Sequence, residues 1–152
     1  WKTSHCFALT GNPYDPFCDG VENVLSAYRN ALSAVRLYGP TVLSNVLKTS
    51  AIIVSRKLSQ GGPVPYHVLL VITDGALSDV DTSVAELVRA SVLPLSVIII
   101  GVGREDFSKM KPFMDYDPDQ GVEPPIEPRR KALLRSEERV ALRDNVQFVA
   151  MR

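Results

Sequence analysis

Two nearly unbroken apolar runs constrain this chain more than any other feature. Tyr66–Thr73 (YHVLLVIT) stops abruptly on Thr73-Asp74-Gly75, and Leu95–Ile100, apolar except for Ser96, stops on Gly101-Val102-Gly103. Between them lie a polar loop over Asp79–Ser83 and a helix-patterned segment reaching about Ser91. Apolar runs without alternation suit parallel strands covered on both faces. A strand–helix–strand order then predicts an α/β fold with a largely parallel sheet flanked by helices. In open sheets of this kind, ligands bind beyond the carboxyl ends of the strands. A strand that ends on an aspartate carries a carboxylate to that rim, so Asp74 is the first candidate functional residue.

The remaining segments extend the pattern. His5–Leu9 (HCFAL) reads as a short strand, and Gly11-Asn12-Pro13 and Asp15-Pro16 as turns. From Gly20 to Val35 the residues Val21, Val24, Leu25, Tyr28, Leu32 and Val35 recur at helical spacing. Asp19 is placed to cap that helix, with Glu22 completing a capping-box pattern. A second helix begins near Thr41, with Leu43, Val46, Leu47, Val54 and Leu58 on one face, and ends at Gly61-Gly62-Pro63. Ser83 and Glu86 form a second capping-box candidate. A short helix is expected over Asp106–Lys111. Residues 112–134 read as an irregular, proline-rich insertion, and Arg129–Arg143 is charge-rich and helix-prone. Val146–Ala150 (VQFVA) reads as the last strand.

The 152 residues suffice for one domain with a real core. The formal net charge of zero gives no general attraction to nucleic acid or anionic lipid. No apolar run reaches the roughly 18 residues that span a bilayer. Cys6 and Cys18 form no CxxC pair and read as free thiols in a reducing cytosol, with a single disulfide between them as the alternative. Residue 1 is Trp and no basic-then-apolar leader follows, so the chain reads as a piece of something longer.

A hydroxyl and a carboxylate from two loops at one end of a sheet supply part of the oxygen shell that a hard divalent cation requires. Thr41 and Asp74 are such a pair. The structural alternative is that Asp74 caps an Asp-Gly turn and Thr41 caps a helix. Asp79 and Asp81 belong to the same loop, either tuning a metal site by charge or simply solvated. Gly101-Val102-Gly103 lacks the full dinucleotide fingerprint, since Asp106 stands at its third glycine position, and reads as a tight turn. His5 and His67 lack metal-ligand spacing. No GxSxG occurs, and neither cysteine has an evident base, so nothing points to an enzyme. Arg129, Arg130, Lys131, Arg135, Arg139 and Arg143, diluted by Glu137, Glu138 and Asp144, read as a solvated helix face, with contact to lipid or an acidic partner as the alternative.

Several motifs in order resemble the copine family. They are Ser4–Thr41, including the Asn-Pro turn, the Cys-x-Gly-Val-Glu helix start and the Leu-Tyr-Gly-Pro-Thr loop; Tyr66–Ser83; Val88–Met110; and Leu142–Arg152. Together they cover most of the chain. Plant ubiquitin ligases with a copine-like domain match less well, at Tyr38-Gly39 and Thr73-Asp74. The resemblance implies a Rossmann-like von Willebrand factor A-type domain over residues 1–152, truncated on its amino-terminal side. It implies a metal-ion-dependent adhesion site in which Thr41 and Asp74 take the threonine and aspartate positions. The DxSxS-like motif of that site does not occur in this chain. In the family sheet order 3-2-1-4-5-6, the chain supplies strand 3 (His5–Leu9) and strands 4, 5 and 6. The first two strands are absent, which leaves Tyr66–Thr73 as an uncovered edge.

The function so implied is protein recognition within a calcium-dependent phospholipid-binding protein of the cytoplasm that is recruited to the plasma membrane by calcium. Partner proteins would bind at the top of the sheet through Mg²⁺ (or Mn²⁺ or Ca²⁺), held weakly by this chain. Phospholipid would bind to domains that this chain lacks, and nucleic acid is not a partner. Two alternatives remain: a substrate-recruiting domain of a copine-domain ubiquitin ligase, and a truncated remnant without metal function.

Overall fold

The computed structural model describes residues 4–75, 77–114, 133–137 and 139–151. The chain divides into two units, Trp1–Pro40 and Thr41–Arg152.

The first unit contains one helix, α1 (Gly20–Ala34), where helical spacing predicts it. Asp19 occupies the capping position but makes no side-chain cap hydrogen bond; its carbonyl instead accepts from Asn23 Nδ2 at 2.7 Å. The apolar stripe of α1 is exposed rather than buried: Val21, Val24, Leu25, Tyr28 and Leu32 all lie open. His5–Leu9 is not a strand. A turn closed by the Gly11 amide on the Ala8 carbonyl at 2.9 Å follows it, and no described segment pairs with it. A strand exists only through its neighbour's hydrogen bonds, so an isolated β-prone pentapeptide has no reason to stay extended. Cys6 and Cys18, both in this unit, are free thiols.

The second unit is α/β. Helix α2 (Ser44–Ser59) leads to strand β1 (His67–Thr73), helix α3 (Val80–Ala90), strand β2 (Leu95–Val102), a 3-10 turn (Ser108–Phe113) and strand β3 (Val146–Met151). The three strands are parallel, in the order β1-β2-β3. His67 to Thr73 pair with Leu95 to Gly101, and Val97 to Val102 pair with Val146 to Met151. The β1-β2-β3 order is the one expected for strands 4, 5 and 6 of the family sheet. The short helix expected over Asp106–Lys111 forms as the tighter 3-10 turn, with Pro112 inside it.

One face of the sheet carries the core. Val97, Ile99, Val146 and Phe148 pack with Leu43 and Leu47 of α2, with Val84, Leu87 and Val88 of α3, and with Met110 and Phe113. The other face is open: Val68, Leu70, Ile72 and Met151 are each more than half exposed. Coverage on both faces, expected from the unbroken apolar runs, is therefore not found among the described residues. Burial alternates along β2 even though the sequence does not. Among the described residues β1 is an edge strand, as expected from the family order.

Three further expectations are corrected. Helix α2 starts at Ser44 rather than near Thr41, and α3 starts at Val80, which places Ser83 inside it, fully buried, rather than at a cap. The described part of Arg129–Arg143 is not a helix; Arg135 and Val140 form an antiparallel bridge, and Ala141 donates to the Leu134 carbonyl at 2.8 Å. Arg129, Arg130, Lys131 and most of the 112–134 insertion lie outside the described residues.

Candidate functional site at the carboxyl rim of the sheet

β1 ends where Thr73 leaves the ladder. Thr73 is buried and sits opposite Gly101. Its hydroxyl donates to the Gly75 carbonyl at 3.0 Å and accepts from the Gly75 amide at 3.4 Å. Thr73, not Asp74, thus closes the turn. Asp74 is exposed beyond the strand end, and its carboxylate makes no hydrogen bond among the described residues. Leu77, 2% exposed, anchors the far side of the loop in the core.

The second loop at this rim carries Thr41. Its side chain is exposed and does not cap α2, whose capping position is Leu43. The free amides at the start of α2 are satisfied from another part of the chain. Asp79 Oδ1 accepts from the Leu43 amide at 3.0 Å and Asp79 Oδ2 accepts from the Ser44 amide at 2.9 Å. The carbonyl of Asp79 meanwhile accepts from the Ser83 amide at 2.9 Å, opening α3. One residue therefore starts one helix with its backbone and caps another with its side chain. A third bond, from the Ser78 amide to the Thr41 carbonyl at 2.9 Å, ties the two loops directly.

The electrostatics follow from this arrangement. Burial alone would raise the Asp79 pKa. The Ser44 hydroxyl, the Leu43 and Ser44 amides and the nearby Ser83 hydroxyl outweigh it and hold the carboxyl below its ordinary value. The partial positive charge of a helix N-terminus acts in the same direction. Asp79 is thus not simply a solvated loop residue: each of its oxygens accepts a backbone amide at the start of α2.

Thr41 and Asp74 are therefore brought to one rim, on loops laced together by three hydrogen bonds, each with a side-chain oxygen that has no hydrogen-bond partner among the described residues. Both are hard oxygen donors of the kind that Mg²⁺ takes. Among the described residues no three His, Cys, Asp or Glu side chains gather into a metal-holding group. The fit is to part of a hard-cation shell, with the remaining positions left to water or to a ligand from a partner.

The other candidates fall elsewhere. A side chain at Gly101 would require the neighbouring rings to shift: a Cβ there would lie 2.7 Å from Phe148 Cζ and 2.8 Å from two Phe107 ring atoms. Those two rings pack at 5.3 Å between centroids. Gly103 has φ +99, in the region that favours glycine. The Gly-Val-Gly segment is thus a packing and turn feature. His67 lies at the opposite end of β1. Asp81 lines a separate groove of about 540 Å³ with Thr82, Arg89, Arg135, Ser136 and Glu137.

Arg143, read from sequence as one of a solvated basic face, is instead a fastener. Its Nη2 donates to the Leu93 and Leu95 carbonyls at 2.7 and 2.6 Å, and its guanidinium lies 5.7 Å from the Tyr66 ring centroid. The Tyr66 hydroxyl in turn lies 2.7 Å from Ser96 Oγ. Sequence reasoning missed both this role and the Asp79 cap. Their partners stand 36 and 50 positions away along the chain, beyond any local pattern.

A family model described as Copine matches residues 1–152 of this chain. Protein BONZAI 1 of Arabidopsis thaliana is similar to it, 41% identical over 149 residues that cover 98% of this chain and 24% of that relative. The chain thus spans about a quarter of the length of this curated relative.

Proposed function

This chain belongs to the copine family, and on that premise we propose that it is the partner-recognition surface of a calcium-dependent phospholipid-binding protein. Its role is binding, not catalysis. The observation that carries the reading is the placement of Thr41 and Asp74 on two hydrogen-bonded loops at the carboxyl rim, with both side chains exposed and without a hydrogen-bond partner among the described residues. Thr41 and Asp74 would hold a divalent cation, Mg²⁺ first and Mn²⁺ or Ca²⁺ as substitutes. When bound, such an ion offers open positions that a carboxylate of a partner protein completes. The buried Thr73 hydroxyl closes the turn that presents Asp74, and Leu77 keeps the loop from folding back. Phospholipid binding belongs to other domains of the parent protein, which acts in the cytoplasm and is recruited to the plasma membrane by calcium.

One hydroxyl and one carboxylate compete poorly with the water shell of Mg²⁺, which dehydrates reluctantly. Calorimetric titration of this chain with Mg²⁺ is therefore expected to show weak binding that Asp74→Asn abolishes and Thr41→Ala reduces. Binding that is unchanged in both variants overturns the site. Vesicles containing phosphatidylserine and Ca²⁺ are expected not to sediment this chain; sedimentation would move lipid recognition onto the chain itself.

A further inference from the structure

The most connected residue at the rim is one that the proposed site does not use. Asp79 holds both amides at the start of α2, while its neighbour Ser78 holds the Thr41 carbonyl. Thr41 lies two residues before Leu43 and makes no side-chain hydrogen bond among the described residues. Leu43 is 3% exposed and Leu47 1%, so the start of α2 is seated on the core through its apolar side chains while Asp79 alone satisfies its first amides. Each oxygen of that carboxylate accepts one amide, so its geometry is set by the start of α2.

We infer that Asp79 is the positioning residue of the rim, a clamp that fixes the Thr41 segment against the loop carrying Asp74 so that one ligand meets both oxygens at once. The inference rests on the proposed cation site for its ligand and on the three inter-loop hydrogen bonds for its mechanism. Without the carboxylate, the Leu43 and Ser44 amides lose their acceptor, and the Thr41 segment is left with a single bond to Ser78. Charge-assisted hydrogen bonds are the stronger class, so this removal acts on the segment as a whole.

The test has two arms on the full chain. The first is residue-resolved hydrogen exchange and needs no metal. In Asp79→Ala the amides of Leu43 and Ser44 are expected to exchange about tenfold faster or more. The Ser78 amide, which does not touch the Asp79 side chain, is expected to lose protection with them as the Thr41 segment departs. Amides in the middle of β2 keep theirs, which reports that the fold survives. Asp79→Asn, retaining one acceptor oxygen, is expected to fall between the two. Unchanged exchange at Ser78 overturns the clamp.

The second arm measures Mn²⁺ affinity by electron paramagnetic resonance in wild type, Thr41→Ala, Asp79→Ala and the double variant. A residue that acts through Thr41 gives non-additive losses: the double variant binds no more weakly than Thr41→Ala alone. Additive losses, as from general destabilisation, overturn the positioning role. If the wild type binds no Mn²⁺, the cation reading fails, and the exchange at Ser78 still decides the clamp by itself.

Discussion

At the amino ends of the strands, Arg143 turns its guanidinium inward onto the Leu93 and Leu95 carbonyls and against the Tyr66 ring. At the carboxyl ends, Asp79 is fastened just as fully, onto the Leu43 and Ser44 amides, but Asp74 and Thr41 beside it are not fastened at all. Both ends use a charged side chain to satisfy backbone groups that the sheet or helix leaves open. At the carboxyl end, Thr41 and Asp74 also present exposed side-chain oxygens that have no partner among the described residues. The difference separates residues that hold the fold from residues that are available to a ligand, although all four are polar and lie in or next to loops.

The comparison breaks most visibly at the amino end. Arg143→Ala removes the two short hydrogen bonds from the guanidinium to the Leu93 and Leu95 carbonyls, the longer ones to Ser96 Oγ and the Asp144 carbonyl, and the packing on Tyr66. It is expected to destabilise the chain by about 2–3 kcal/mol, read as a shift of the urea midpoint. Arg143→Lys is expected to recover only part of this, because an ammonium does not reproduce the planar fork of a guanidinium. Mg²⁺ binding should be unaffected once the folded fraction is taken into account. A smaller loss is expected from Gly101→Ala, in the strand that joins the two ends. The added methyl must displace the Phe107 and Phe148 rings, at about 1–3 kcal/mol by the usual cost of overpacking. A stability equal to wild type in thermal melts would show that the two rings yield freely.

At the carboxyl end the expected signature is a pH dependence. The Asp79 pKa is lower in the folded chain than its ordinary value of 3.8. Its contribution to stability is therefore fully present above that ordinary value and is lost as the pH falls through the folded pKa. Asp79→Asn is expected to be less stable than wild type near neutrality, by about 1 kcal/mol, because it loses one of the two acceptor oxygens and the charge beside the helix start. The gap should close in acid, when the wild-type carboxyl is protonated too. Asp106 is also held below its ordinary value, by the Ser108 amide and hydroxyl. It contributes equally to both proteins, so the difference between them isolates Asp79. A gap that persists unchanged in acid would mean that the Asp79 charge is not what caps α2.

The same contrast explains how much could be read from the sequence. Among the described residues, the α-helices and the strands β1, β2 and β3 lie close to where helical spacing and the apolar runs place them, although the apolar stripe of α1 is exposed rather than buried. The carboxyl rim was legible in the same way: an apolar run that ends on Thr73-Asp74 sets its last residues at the end of a strand. What was not legible depends on a distant partner. His5–Leu9 has strand composition but no described neighbour to pair with. Leu134 and Ala141 pair across a turn where charge-rich composition suggested a helix. Ser83 has the identity of a cap, yet it is buried inside α3. Asp79 looks like any loop aspartate until α2 is folded beside it. The apolar runs predicted a sheet covered on both faces, whereas among the described residues only the face bearing Val97, Ile99 and Phe148 is covered.

The smallest expected effect on stability is also the most informative. Asp74 makes no hydrogen bond among the described residues, is exposed and closes no turn, so its carboxylate contributes nothing that Asn would lack in the folded chain. Asp74→Asn is expected to leave the urea midpoint unchanged, within about 0.5 kcal/mol, as for surface substitutions away from structural features. The same substitution removes the only carboxylate of the proposed cation pair. A neutral amide oxygen is a much weaker ligand for a hard divalent ion, and Mg²⁺ binding should disappear. Loss of binding at constant stability is what separates an available residue from a fastened one: Arg143→Ala should give the reverse, lower stability at constant affinity. If Asp74→Asn instead destabilises the chain as Asp79→Asn does, Asp74 belongs with the fasteners. The two ends of the sheet would then differ only in the sign of the charge that holds them.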